Sequence, residues 1–282
     1  MTEIKAPCHI ERLPCEIYHA HDSISNSGLR LVSRSPAHYK YQPAREPTRN
    51  MVIGSALHMA ALEPHLFYDT YTLLRDAPNR VCSEYKQAKK EFGEQFVLVA
   101  SEVEKVEGIM SALQGNKEIN DLLIIPGPTE LSGFSVDPEH GVTCRHRFDK
   151  LTNCGIAIDL KTTIDARPDA FSRSVYNYGY HMQAAFYSDQ HKWITGEELK
   201  DFVFIVIESE SPFAVKMYRL DDESVEIGRY MYQKALATYA KCRESGIWPA
   251  YSNDGVETLR IPEYAVYKYD QELADSMNFS ED

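Results

Sequence analysis

The chain has 282 residues, 43% hydrophobic and 26% charged, which suits a globular domain with a core large enough to need no covalent staples. No run of eighteen apolar residues occurs, and Met1 to Pro14 lacks the apolar stretch of a signal peptide, so the reading is a cytoplasmic protein without a membrane span. The formal net charge of −12 argues against a nucleic-acid partner in the sum, although binding needs only a local field. Six cysteines (Cys8, Cys15, Cys82, Cys144, Cys154 and Cys242) form no CxxC pair, so a zinc ribbon is not indicated and free thiols are expected.

In chain order, Ser25 or Ser27 can cap a short helix through Leu29 and Val32, and Ser35-Pro36 puts a proline at the start of another. Residues 40–50 read as a polar loop. Met51 to Leu62 is apolar at helical spacing and stops before Pro64. Ser101-Glu102-Val103-Glu104 reads as a capping box opening a helix toward Leu113. The period then changes. Glu130 to Val136 looks extended, residues 137–141 form a turn, and Val142 to Lys150 and Gly155 to Lys161 read as strands. Helices follow near 168–176 and 180–194, then a buried strand over Phe202 to Glu208 and a partner over Ala214 to Leu220. A long helix over about 221–244 closes the globular part, and the acidic end, about 268–282, is expected to fray. The expectation is one domain over 1–282 with an α/β (α+β) fold, a mixed sheet flanked by helices on both faces.

The chemistry centres on Ile156-Ala157-Ile158-Asp159-Leu160-Lys161. On a strand the apolar residues point one way and Asp159 and Lys161 the other, side by side. By the same alternation Arg145, Arg147 and Asp149 share a face of the preceding strand, and a turn at Thr152-Asn153 brings Asp149 close to Asp159. Two close carboxylates repel unless a cation sits between them, and a hard divalent ion, Mg²⁺ or Mn²⁺, fits oxygen ligands best. From Arg145 to Arg173 lie six basic residues (Arg145, Arg147, Lys150, Lys161, Arg167 and Arg173) against four acids (Asp149, Asp159, Asp165 and Asp169). A metal held by two of those acids would make the segment positive.

An acid, then about ten residues, then acid-x-Lys resembles the PD-(D/E)XK nucleases, with Phe148 where many members have proline. Further pieces are similar to the RecE and lambda-exonuclease branch: Gly54-Ser55-Ala56-Leu57-His58, Glu130, Gln183-Ala184-Ala185-Phe186-Tyr187, Tyr178-Gly179-Tyr180-His181, and Ile24-Ser25-Asn26-Ser27-Gly28-Leu29. Some nucleases of the superfamily carry an iron–sulfur cluster on one early and three late cysteines; here only Cys242 is late.

The resemblance implies metal-assisted phosphodiester hydrolysis. Asp149, Asp159 and the Leu160 carbonyl would hold Mg²⁺, with His58 and Glu130 completing that site or a second one. Lys161 would orient the attacking water, take its proton or offset charge on the phosphate. Gln183 and Tyr187, one turn apart on a helix, would face DNA, and Arg147 would contact it. Ser25 and Ser27, with Arg30 and Arg34, form a candidate anion site for a 5′ phosphate. The branch digests the 5′-ended strand of linear duplex DNA to leave 3′ single strands for recombination in bacterial or phage-infected cells. It forms ring-shaped homo-oligomers and works with a single-strand annealing (RecT-like) protein. Two other nucleic-acid readings stay open, an endonuclease of the same superfamily and a degenerate DNA-end-binding protein. The first lacks an evident basic module for reading base edges, and the retained Asp149, Asp159 and Lys161 weigh against the second. The net charge of −12 also leaves open a protein unrelated to nucleic acid.

Overall fold

A computed structural model describes residues 4–43, 47–251 and 255–278. The chain divides into two compact units, Met1–Ala250 and Tyr251–Asp282. The first unit opens with β1 (Cys8–Ile10), α1 (Cys15–Ala20), α2 (Asn26–Arg34), α3 (Pro36–Tyr41), α4 (Arg49–Leu62) and α5 (Pro64–Thr70). It continues with β2 (Thr72–Leu74), α6 (Ser83–Phe92), β3 (Val97–Val99), α7 (Ala100–Gly115) and α8 (Lys117–Leu123). Then come β4 (Thr129–Val136), β5 (Thr143–Leu151), β6 (Ile156–Thr163), α9 (Pro168–Tyr178), α10 (Tyr180–Thr195), β7 (Asp201–Glu208), β8 (Val215–Tyr218) and α11 (Asp222–Ser245). The second unit contains α12 (Glu263–Asn278), so helix occupies most of the stretch expected to fray; residues 279–282 lie outside the described residues, as do 44–46 of the expected loop.

The central sheet has the order β1-β4-β5-β6-β7-β8. Every neighbouring pair is antiparallel except β6 and β7, which run parallel across the crossover through α9 and α10. This is the mixed sheet with helices on both faces that the element order implies. The alternation along β7 shows why: Ile205 and Ile207 pack with Ile158, Leu160, Leu57, Ile109 and Leu113, while Phe204 and Val206 pack with Phe171, Val175 and Ala184. Thus α4 and α7 cover one face and α9 and α10 the other. These side chains are wholly or almost wholly buried, and truncating one such as Ile205 to alanine costs about 2–5 kcal/mol. A third apolar cluster joins Leu29 and Val32 of α2 to Met182 and Phe186 of α10 and Tyr232 and Leu236 of α11.

Most caps follow the sequence. Ser25 accepts the Gly28 N–H at 3.3 Å, and Pro36 opens α3 behind Ser35. The start of α7 differs: Ser101 lies inside the helix, and the Glu102 carboxylate takes the Val99 N–H at 3.0 Å. The reason is Arg49, whose guanidinium bonds Glu102 and the Val97 carbonyl and so draws the helix start back to the end of β3. All six cysteines are free thiols. Among the described residues no helix is long and apolar enough to cross a membrane.

Candidate metal centre

The site grows from the β5–β6 hairpin. Gly155 supplies the positive φ of 86° that the tight turn requires, and the Thr152 hydroxyl takes the Ile156 N–H at 2.9 Å. Backbone pairing beyond the turn is confined to Leu151↔Ala157 and Lys150↔Ile158. Past these pairs the strands part, and the Asp149 side chain fills the gap: its Oδ2 accepts the Leu160 N–H at 2.7 Å. Strict alternation also breaks here, since Phe148 and Leu151, three residues apart, join one apolar cluster.

The neighbouring strand is distorted at the same level. Glu130 stands between the Thr129↔Lys150 and Leu131↔Phe148 pairs, opposite Asp149, with its backbone in the left-handed region at φ 47°. Such a conformation is costly for a residue with a Cβ and persists only where its surroundings fix it. From the other side α4 brings His58, whose Nδ1 lies 3.4 Å from Asp149 Oδ2. One ligand atom from each of His58, Glu130 and Asp149 falls within 4.8 Å of the others.

Asp159 is 3% exposed and adjoins this group. Its Oδ1 accepts from Gln183 Nε2 at 2.5 Å, and its Oδ2 forms an ion pair with Lys161. Lys161 Nζ also lies 4.7 Å from the centre of the Tyr180 ring. Gln183 therefore holds Asp159 from α10. The Leu160 backbone is fixed beside Asp149 by the N–H bond already described.

The electrostatics follow from burying so many charges together. Burial works against a charge on His58, but the adjoining Asp149 carboxylate prevails and lifts its pKa to about 9. Burial and the charge of Asp149 lift Glu130 to about 7. Burial raises Asp149 too, yet His58 and Lys161 together hold it below the ordinary carboxylate range. At Asp159, burial and Asp149 outweigh Lys161, and its pKa goes up. Lys161 keeps its proton despite burial because Asp159 and Asp149 face it. Carboxylates raised by burial and by a neighbouring carboxylate, as Glu130 and Asp159 are, are relieved by a cation, and an imidazole with two carboxylates in reach of one point is a fitting donor set for a divalent metal.

The other expected site residues are placed as follows. Tyr187 is half-buried against His146, at 5.2 Å, and Phe148, at 5.7 Å between ring centres. Arg147 donates to Ser132 Oγ and the Leu13 carbonyl, stacks on Tyr18, and lies 3.7 Å from Glu130 Oε2. It thus braces Glu130 and the N-terminal segment. The other basic groups of the 145–173 stretch are engaged as well: Arg145 with His21 and Ser23, Lys150 with the Leu123 carbonyl, Arg167 with Asp165, and Arg173 with Asp169. Arg30 reaches the Asn177 carbonyl at 3.2 Å, near Tyr180. Ser25 and Ser27, whose hydroxyls are 2.9 Å apart, sit at the start of α2, whereas Arg34 is its last residue, about 12 Å along the axis. A cavity of about 620 Å³ opens beside the centre, lined by Asn50, Gly54, Thr162, Tyr178 and Tyr180 among others.

Sequence reasoning missed Glu63 and Arg12. Glu63 is buried, accepts from Thr129 Oγ1 at 2.8 Å, and pairs with Arg12 at 3.0 Å. Its one local signal is an acid at the break between α4 and Pro64; its partners lie 51 and 66 positions away.

This architecture, with paired acids and a lysine where an antiparallel hairpin splays, defines the PD-(D/E)XK nuclease fold. The model of a family described as a PDDEXK-like domain of unknown function (DUF3799) matches residues 25–261, and the chain belongs to that family. No curated protein matches. Among solved structures, a candidate exonuclease from Eubacterium rectale is 14% identical, covers 90% of this chain and 98% of its own, and superposes with a TM-score of 0.61, which shows a shared fold. A second, SSO0001, is 18% identical over 66% of this chain and 85% of its own; its TM-score of 0.28 carries no argument.

Proposed function

We propose that this protein is a Mg²⁺-dependent exodeoxyribonuclease that degrades the 5′-ended strand of linear duplex DNA. The observation that carries this reading is that His58 of α4 and Glu130 of β4 meet Asp149 of the splayed β5–β6 hairpin beside its Asp159–Lys161 pair. The exonuclease description of the Eubacterium rectale neighbour points the same way. His58, Glu130, Asp149 and Asp159 would hold the metal, with the Leu160 carbonyl as a further donor. When bound, the metal supplies Lewis-acid polarisation of the phosphate and an activated water. Lys161, kept protonated by its two acids, presents a positive charge and N–H donors to the scissile phosphate. Gln183 keeps Asp159 oriented, and Tyr180 shares the cavity wall with Thr162, next to Lys161, where the cut strand would lie. The polarity, the 3′ overhang, ring assembly and work with a single-strand annealing protein rest on resemblance to the RecE branch.

The test uses linear duplex labelled at either the 5′ or the 3′ end, with closed circles as control, Mg²⁺ or Mn²⁺, and an Asp159→Ala variant alongside. Early release of 5′ label from linear DNA alone, lost in the variant, is the expected result. Cutting of circles points instead to an endonuclease. No cleavage with either metal would leave a DNA-end-binding protein as the better account.

A further inference from the structure

The helix that carries His58 and the strand that carries Glu130 are joined by one carboxylate. Glu63 closes α4 five residues after His58 and is 5% exposed. Its Oε1 accepts from the Thr129 hydroxyl at 2.8 Å, and Thr129 immediately precedes Glu130, the residue held at φ 47°. The same oxygen lies 3.0 Å from Arg12 Nε, which supplies the opposite charge that a buried carboxylate needs. A strained backbone survives only under restraint from its neighbours, and the Thr129–Glu63 bond acts one residue from the strain.

We infer that Glu63 is a positioning residue of the metal centre, setting Glu130 against His58 at the spacing a divalent cation requires. Its role rests on the metal-binding reading of His58, Glu130 and Asp149. Arg12 keeps the carboxylate aimed, and Thr129 transmits its position to the strand. Groups bonded behind a ligand shell commonly change metal affinity about 10–100-fold when removed.

The experiment is calorimetric titration of the full chain with Mn²⁺ alone, with thermal unfolding of each metal-free variant in parallel. Wild-type protein binds Mn²⁺ and Asp149→Asn does not; a wild type that takes up no Mn²⁺ overturns the metal centre itself. Given binding, Glu63→Ala weakens Mn²⁺ about 10–100-fold. Glu63→Gln, whose amide oxygen still accepts from Thr129, recovers most of that loss. Thr129→Val removes only the hydroxyl, moves affinity the same way, and replaces Glu63→Ala should that variant fail to fold. Wild-type affinity in both Glu63→Ala and Thr129→Val overturns the role of Glu63 and leaves the metal centre standing. Equal losses of affinity and Tm in Glu63→Ala and Glu63→Gln overturn it as well, since they reduce Glu63 to a fold-stabilising group.

Discussion

Around Asp149, strand β5 takes part in a knot of ionisable groups, buried Asp159 with half-buried His58, Glu130 and Lys161. Three residues earlier the same strand carries His146, fully buried, with His9 5.6 Å away in an edge-on contact, and His9 in turn stacks on His191 at 5.5 Å. Both regions take titratable groups out of water. The first sets opposite signs against one another, which favours the charged forms of His58, Asp149 and Lys161 and leaves Glu130 and Asp159 above the ordinary carboxylate range. In the second, burial dominates and favours the neutral rings: the pKa of His146 falls to about 3 and that of His9 to about 4, with neighbouring imidazoles adding to the effect. A charged knot depends on every member, because removing one leaves the rest uncompensated. A neutral cluster tolerates loss of a member but not a proton.

Lys161→Met strikes the charged knot hardest. It leaves Asp159 buried without its cation, and we expect a loss of about 3–5 kcal/mol in urea denaturation of metal-free protein near pH 8, together with loss of cleavage. A gain in stability would break the contrast, showing that the knot strains the fold. His58 gives the next largest effect. Its folded pKa of about 9 lies above the unfolded value of 6.5, so the His58–Asp149 pair contributes fully below pH 6.5 and is lost as pH rises through 9. The contribution is at most about 3 kcal/mol, and NMR titration of the metal-free ring should place the midpoint near the upper value. Asp149→Asn should bring that midpoint down toward the ordinary histidine range or below it.

The neutral cluster has the opposite sign. His146 binds a proton more readily unfolded than folded, so stability is full above pH 6.5 and falls as pH drops toward 3. Between pH 6.5 and 5 the loss from His146 is about 2 kcal/mol. His146→Leu should flatten the stability profile over that interval by about one proton; an unchanged slope would place the acid sensitivity elsewhere. The smallest effect belongs to a site outside both regions. Ser25→Ala removes the cap of α2 and should cost about 1 kcal/mol, with Mn²⁺ affinity unchanged. A large additional fall in affinity for 5′-phosphorylated ends would show that the cap also meets the substrate.

Strand and helix spacing made the sheet legible, and the acid hairpin with it, because alternation and turn chemistry are local. β4 through β8 and α9 through α11 lie within a few residues of their expected places. Asp149, Asp159 and Lys161 could be named from their spacing, and His58, Glu130 and Gln183 from the family resemblance, but the contacts that join these last three to the hairpin could not. Nothing local says that Gln183 would hold Asp159 rather than reach outward, or that the Tyr187 ring would settle against His146 and Phe148. The resemblance set Arg147 toward DNA; its engagement with Leu13, Ser132 and Glu130 depends in part on an N-terminal segment that carries little pattern. Short β1 has only three residues, too few for a period to show. Glu63 escaped for a different reason, since its meaning lies in two distant partners.

Because β5 and β6 part at Asp149, the Leu160 amide is bonded to a side chain instead of to the facing strand. Its proton senses the charge and position of one carboxylate, in a setting where most backbone amides sense only their own ladder. That makes a single resonance a built-in gauge of the centre. A cation drawn to Asp149 should shift it, and Asp149→Asn should move it without any cation present. Its hydrogen-exchange rate should then follow the loading of the site in real time, with no nucleic acid needed for the reading.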